Sequence, residues 1–141
     1  MALPFQVTFD CADPHRLAEF WSTALAYEVE NHAELIDQLL EAGELQTDEV
    51  VDRHGRKCWA AACACADSTG TGSRLLFQVV PESKTTKNRV HLDLNVGSAN
   101  IAAEVERLIK LGATRLWAVD DDGNEHCVTL SDPEGNEFCV Q

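Results

Sequence analysis

The chain has 141 residues, 45% of them apolar, with 24 acidic against 11 basic side chains and a formal charge of −13. That length buries the core of one compact domain but not of two large independent ones, and so negative a surface argues against nucleic acid or an anionic membrane as partner. The longest uncharged apolar run, Cys58 to Ala66, is too short and alanine-rich to span a bilayer, and Met1 to Val7 lacks a signal-peptide layout, so the expected location is the cytoplasm.

Gln6 to Asp13 alternates with period two. Val7, Phe9 and Cys11 point one way, and Gln6, Thr8 and Asp10 the other. Asp13-Pro14 then opens a helix with Asp as N-cap and Pro at N1. Leu17, Phe20, Trp21, Ala24 and Leu25 supply its buried stripe, and it ends at Leu25-Ala26. Tyr27 to Glu30 reads as a loop or a short strand. In the following insertion, Asn31 with Glu34 resembles a capping box, Leu35, Ile36, Leu39 and Leu40 form an amphipathic stripe, and Gly43 closes the helix. This helix reads equally as a lid or as cover for a sheet edge or subunit contact. Glu49 to Asp52, a turn at Arg53 to Arg56, and Cys58 to Ala66 read as a hairpin, and Leu75 to Val80 as the next strand.

The segment Arg89 to Val96 alternates again. Leu92, Leu94 and Val96 share one face, and His91, Asp93 and Asn95 share the other. Ser98 to Leu111 follows as a helix with Ser98 as N-cap, Ala102, Val105, Leu108 and Ile109 as its stripe, and Gly112 as its stop. Thr114 to Val119 and His126 to Leu130 form a hairpin across Asp120-Asp121-Asp122-Gly123-Asn124. That run superficially matches a calcium loop but lacks the distal Glu and reads as a solvated turn. Asp132-Pro133-Glu134-Gly135-Asn136 turns into Glu137 to Gln141.

Gln6 to Asp13 lies on His91 to Ser98 without a gap, so the chain is an internal repeat, 5–80 and 90–141, within a single domain of residues 1–141. The expected class is α+β: two β-α-β-β-β modules forming a pseudo-twofold open, curved mixed sheet around a trough, helices outside. Gln6, Thr8, Asp10, His91, Asp93, Asn95, Glu137 and Cys139 line the trough or its rim in this reading, while Val7, Phe9, Leu92, Leu94, Phe138 and Val140 pack under the helices. The six cysteines form no Cys-x-x-Cys knuckle and read as reduced, buried thiols. Cys63 and Cys65 share a strand face, which argues against a disulfide between them. His15, His32, His54 and His126 read as a helix-start, a loop, a turn and a strand residue. His91 reads either as a ligand or base oriented by Asp93, Glu137 or Cys139, or as a cavity-lining imidazole. No phosphate loop, nucleophile elbow or thiol-hydrolase pair is present.

The paired modules, Leu-Ala-Tyr after the first helix, Leu-Gly-Ala after the second and Asp-Pro-Glu-Gly-Asn before the last strand resemble the vicinal oxygen chelate superfamily, and within it the glyoxalase-like and bleomycin-resistance-like proteins. The segment Pro81-Glu82-Ser83-Lys84 with Lys87 to Asp93 is similar to one bacterial glyoxalase-like branch. The resemblance implies metal ligands from the first strand of each module, here Gln6 and His91, and a Glu from each last strand. The latter position falls on Cys139 in the second module, with Glu137 two residues earlier. In the first module it falls on Arg74, Leu75 or Leu76, none of them a carboxylate.

No stoichiometric metal is therefore expected, and any bound metal would draw on Gln6, His91, Glu137 and Cys139. Zinc is the favoured exception among divalent metals, because the Cys139 thiolate is a soft ligand. Three functions stay open: a metal-independent binder of a small organic molecule in the trough, a metal-dependent lyase or isomerase of the glyoxalase type, and a dimeric scaffold without ligand. A homodimer is expected, through the strand at 58–66 and the inserted helix.

Overall fold

In the computed structural model, which describes residues 1–141, the first alternating segment forms β1 (Val7–Cys11) and leads into α1 (Pro14–Leu25). The Asp13 carboxylate accepts from the amides of His15 and Arg16, satisfying donors that the first helical turn leaves open, and Ala26 ends the helix in the left-handed region at φ 56°. The chain continues through β2 (Glu28–Val29), α2 (Ala33–Glu41), β3 (Val50–Arg53), β4 (Arg56–Trp59), β5 (Ala62–Ala66) and β6 (Leu75–Val79). These elements belong to a first compact unit, Met1–Pro81.

Its main sheet has the order β1-β6-β5-β2, with β1 parallel to β6 and the other neighbours antiparallel. α1 buries Leu17, Ala18, Phe20 and Trp21 against the face bearing Phe9, Phe77, Cys63 and Cys65. The Phe9 ring centroid lies 5.4 Å from that of Trp21 and 5.1 Å from that of Phe77. Burying rings of this size contributes about 1.5–3 kcal/mol each.

Three local expectations change here. The strand expected over 58–66 is two strands. β4 pairs with β3 in a separate hairpin, whereas β5 joins the main sheet. The switch occurs at Ala60-Ala61, where the Ala60 amide still bonds to the Glu49 carbonyl but the Ala61 carbonyl already accepts from Val79. The Asn31/Glu34 capping box does not form. Asn31 Oδ1 accepts from the Ala33 amide two residues on, an Asx turn, and His32 is the N-cap. The inserted helix buries Ile36 completely and leaves Leu35 exposed.

The second unit, Glu82–Gln141, holds β7 (Asp93–Leu94), α3 (Ile101–Leu111), β8 (Thr114–Asp121), β9 (Asn124–Ser131) and β10 (Glu137–Val140). Its sheet order, β7-β10-β9-β8, repeats that of the first unit: the first strand lies at an edge, parallel to the last. Both units are thus β-α-β-β-β modules, and the chain is of the α+β class. The ladder of β7 is shorter than the alternation over 90–96 suggests, although Cys139 N→Leu92 O, Gln141 N→Leu94 O and Val96 N→Gln141 O keep the flanking backbone extended along β10.

Ser98 does not cap the second helix. It starts a 3₁₀ turn (Ser98–Asn100) preceded by Gly97 at φ 82°, and α3 begins after Asn100 with no side-chain cap. Ile101, Val105 and Leu108 form the buried stripe of α3, while Ala102 and Ile109 face solvent. Val128, Leu130, Phe138 and Val140 complete this core. The Asp120 to Asn124 run is a hairpin turn, as expected, with Asp122 and Gly123 both at positive φ and Asp120 Oδ1 accepting from the Gly123 amide. No helix is long and apolar enough to cross a membrane.

Candidate functional site

In the first unit, strand register decides which side chains share the sheet face opposite α1. Thr8 pairs with Leu76, Ala64 with Leu76, Asp10 and Ala62 with Gln78, and Glu28 with Ala66. Since Cα partners in a ladder project to the same side, this face carries Gln6, Thr8 and Asp10 on β1, then Arg74, Leu76 and Gln78, then Ala62, Ala64 and Ala66. The alanines leave space above β5. The inserted hairpin encloses it into a cavity of about 320 Å³ lined by His15, Glu30, Trp59, Ala64, Arg74 and Leu76, together with His32, Cys58, Ala62 and Cys63.

One wall of the cavity is charged. Glu30, just past β2, accepts from Arg74 Nε (2.6 Å) and Arg74 Nη2 (2.8 Å), and meets His32 Nε2 at 3.0 Å. The Arg74 hydrogen bonds outweigh burial and, with help from His32, hold the Glu30 carboxyl down at about 2. Arg74 is raised in turn, first by the bond to Glu30. The other wall is aromatic. His15, 7% exposed, donates Nε2–H to the Trp59 carbonyl at 2.9 Å, and the His32 ring centroid lies 6.5 Å from that of Trp59. Burial pushes the Cys63 thiol up to about 11 and the Cys65 thiol up to about 12, so both are neutral and inert.

Of the residues expected at the site, Gln6, Thr8 and Asp10 lie on the same face as the cavity but are not part of its lining. Gln6 Oε1 accepts from Arg74 Nη1 (2.8 Å), and Asp10 Oδ1 accepts from Gln78 Nε2 (2.8 Å). Glu30, His32, His15, Trp59 and Arg74 were missed by sequence reasoning. The Glu30-x-His32 spacing directly after a strand was a usable signal. The enclosure by Trp59 was not, because it depends on the break at Ala60-Ala61.

In the second unit, β7 and β10 bring His91, Asp93 and Cys139 together. Asp93 is the ladder partner of Cys139, His91 Nδ1 lies 2.7 Å from Asp93 Oδ1, and one ligand atom from each of the three falls within 4.8 Å of the others. Cys127 on β9 faces the same way. Burial, then its interaction with the Cys139 thiol, pushes Cys127 up to about 11. The remaining expected residues are committed elsewhere. Glu137 accepts from the Asn88 amide (2.9 Å) and pairs with Lys84 (3.1 Å), and these bonds lower its carboxyl although burial opposes them. Asn95 Oδ1 accepts from Gln141 Nε2 at 3.0 Å.

The ligand set implied for a hard divalent ion does not fit the first unit. Its Gln6 oxygen is taken by Arg74, and Leu76, the ladder partner of Thr8, stands where the second unit has Cys139 as the ladder partner of Asp93. An apolar side chain at that place removes an oxygen ligand that magnesium or manganese would need.

No curated protein matches the sequence significantly. Solved structures share its fold. A glyoxalase/bleomycin resistance protein/dioxygenase family enzyme from Burkholderia phytofirmans PsJN is 16% identical over 96% of this chain and 94% of its own, with a TM-score of 0.61. The fosfomycin resistance protein FosX from Mesorhizobium loti is 12% identical over 100% of this chain and 91% of its own, with a TM-score of 0.64. A mutant FosX from Listeria monocytogenes, complexed with Mn(II) and 1S,2S-dihydroxypropylphosphonic acid, is 12% identical over 100% of this chain and 90% of its own, with a TM-score of 0.61. The glyoxalase-like domain model matches residues 6–141, so with its two β-α-β-β-β modules the chain belongs to the glyoxalase-like family.

Proposed function

We propose that this chain acts as one glyoxalase-like domain that binds a small organic molecule without the family's full metal site, and that the ligand occupies the cavity of the first unit. The observation that carries the reading is the composition of that cavity: an alanine floor, Leu76 and Trp59 as apolar surface, and the Glu30–Arg74–His32 group as the polar wall. Its volume of about 320 Å³ falls at the lower end of organic-ligand sites. Binding without a metal agrees with Gln6 and Leu76 being unfit to ligate one.

The test is a thermal-shift screen with fosfomycin, bleomycin and a panel of small aromatic acids and amides, run on the native chain and on Ala62→Trp, which fills the floor. A compound at 100 times its Kd stabilises the native chain by about 2.7 kcal/mol and leaves Ala62→Trp unshifted. Equal shifts in both proteins, or none in either, contradict the proposal.

A homodimer belongs to the same reading, but the expected surfaces change. The 58–66 segment and Ile36 are largely used inside the first unit. The edge strand β8 instead exposes Leu116, Trp117 and Val119, at 40%, 47% and 58%. Sedimentation at micromolar concentration is expected to give a dimer that Trp117→Lys dissociates.

A further inference from the structure

The cavity of the first unit contains a buried polar group that the fold leaves without a partner. His15, at the start of α1, lines the cavity and is only 7% exposed. Its Nε2 lies 2.9 Å from the Trp59 carbonyl oxygen, which can only accept, so the ring proton sits on Nε2 and Nδ1 carries a bare lone pair. Nothing in the chain donates to that nitrogen, and it is not sealed in the core, where Arg53 Nε is the unpartnered atom. An acceptor left without a donor in so enclosed a place is costly, and an N–H or O–H of a ligand removes the cost. We propose, on the reading that this cavity is the binding site, that His15 Nδ1 is its specificity-determining acceptor and that the ligand is an uncharged aromatic compound with an N–H or O–H donor on its edge.

The rest of the lining sets the charge and shape of the ligand. Glu30 and Arg74 are its formally charged residues, and they cancel. Arg74 commits Nε and Nη2 to Glu30 and Nη1 to Gln6, so its charge is matched before any ligand enters. The Cys63 thiol, pushed up to about 11 by burial, adds no charge. An anionic ligand would therefore bring an unbalanced charge into a largely apolar site. Trp59, Leu76, Ala62 and Ala64 supply the surface for a flat ring. His32 also gives its Nε2–H to Glu30, but its side chain is 39% exposed, so water serves its other nitrogen and it discriminates little among ligands. Between an aromatic acid and the matching amide, His15 selects the amide, because the carboxylate has no hydrogen to give it.

Isothermal titration calorimetry of the full chain with indole and with benzofuran, which has nearly the same size and shape but lacks the N–H, reads the acceptor directly. The native chain should bind indole about tenfold more tightly than benzofuran, and benzamide about tenfold more tightly than benzoate. His15→Leu, shown to be folded by circular dichroism, should bind indole and benzofuran equally; the ratio in the native chain stands as the test if this variant unfolds. Ala62→Trp, which fills the floor, should bind neither. Equal affinities for indole and benzofuran in the native chain, tighter binding of benzoate than of benzamide, or an indole preference that survives in folded His15→Leu overturns the assignment, and leaves the cavity as the binding site wherever Ala62→Trp abolishes that binding. No binding of any of the four compounds also overturns it, with the wider thermal-shift screen then deciding the cavity separately. Indole binding that Ala62→Trp leaves unchanged overturns both.

Discussion

Glu30→Gln isolates the charged wall of the cavity. The carboxyl sits at about 2 against an ordinary 4.5, which by linkage corresponds to about 3 kcal/mol of preference for the ionised form in the fold. Solvent screens part of this, because the side chains remain 24% and 37% exposed at Glu30 and Arg74, and about 1–2 kcal/mol is the expected contribution to stability at neutral pH. The folded-state value is depressed, so the contribution is fully present above pH 4.5 and is lost as pH falls towards about 2. Glu30→Gln is therefore expected to lower the Tm at pH 7 by about 3–8 °C, with the gap from the native chain closing across that acid window. Urea denaturation followed by tryptophan fluorescence, in a double-mutant cycle with Arg74→Met, checks this. A gap that stays constant from pH 7 to pH 2.5, or a coupling energy near zero at pH 7, would refute the argument that the Arg74 hydrogen bonds set the state of Glu30.

Two further outcomes follow from local geometry. A Cβ at Gly72 would lie 2.0 Å from the Tyr27 hydroxyl oxygen and 2.8 Å from Cζ, so Gly72→Ala should cost about 1–3 kcal/mol and be rescued in part by Tyr27→Leu; denaturant midpoints of the two variants decide. Cys65, fully buried and with its thiol held at about 12 by burial, should resist iodoacetamide at pH 7.5 until the chain is unfolded, as mass spectrometry of the peptide covering 58–66 will show; rapid native-state labelling of Cys65 would mean that α1 does not seal that face.

Much of the architecture was legible because period-two alternation and helix punctuation are local signals. Val7, Phe9 and Cys11 pack towards α1 as their spacing implied, Asp13-Pro14 starts that helix, and Asp132 with Gly135 shapes the last turn. The errors arose where local signals compete with tertiary hydrogen bonding. Ser98 is a good N-cap residue, but the positive φ of Gly97 diverts the chain into a 3₁₀ turn first. Cys58 to Ala66 is uniformly small and apolar, so nothing in its composition marks the exchange of ladder partners at Ala60-Ala61.

The same competition explains the candidate site. His91, Asp93 and Cys139 were readable from alternation, because two adjacent strands bring equivalent parities together. The cavity of the first unit depends on an insertion without a counterpart in the second. His15 looked like an ordinary helix-start residue and His32 like a loop residue, and only the folded hairpin places both beside Trp59.

The most direct test of the central claim, that the first unit's cavity is the binding site, is to map a thermal-shift hit by ¹H–¹⁵N NMR on the labelled chain. The account predicts the largest perturbations at the Trp59 indole, the Ala62 and Ala64 amides and the Arg74 guanidinium, with the His91 and Cys139 amides unmoved. Perturbations centred on His91, Asp93 and Cys139, with Trp59 and Arg74 silent, would contradict it.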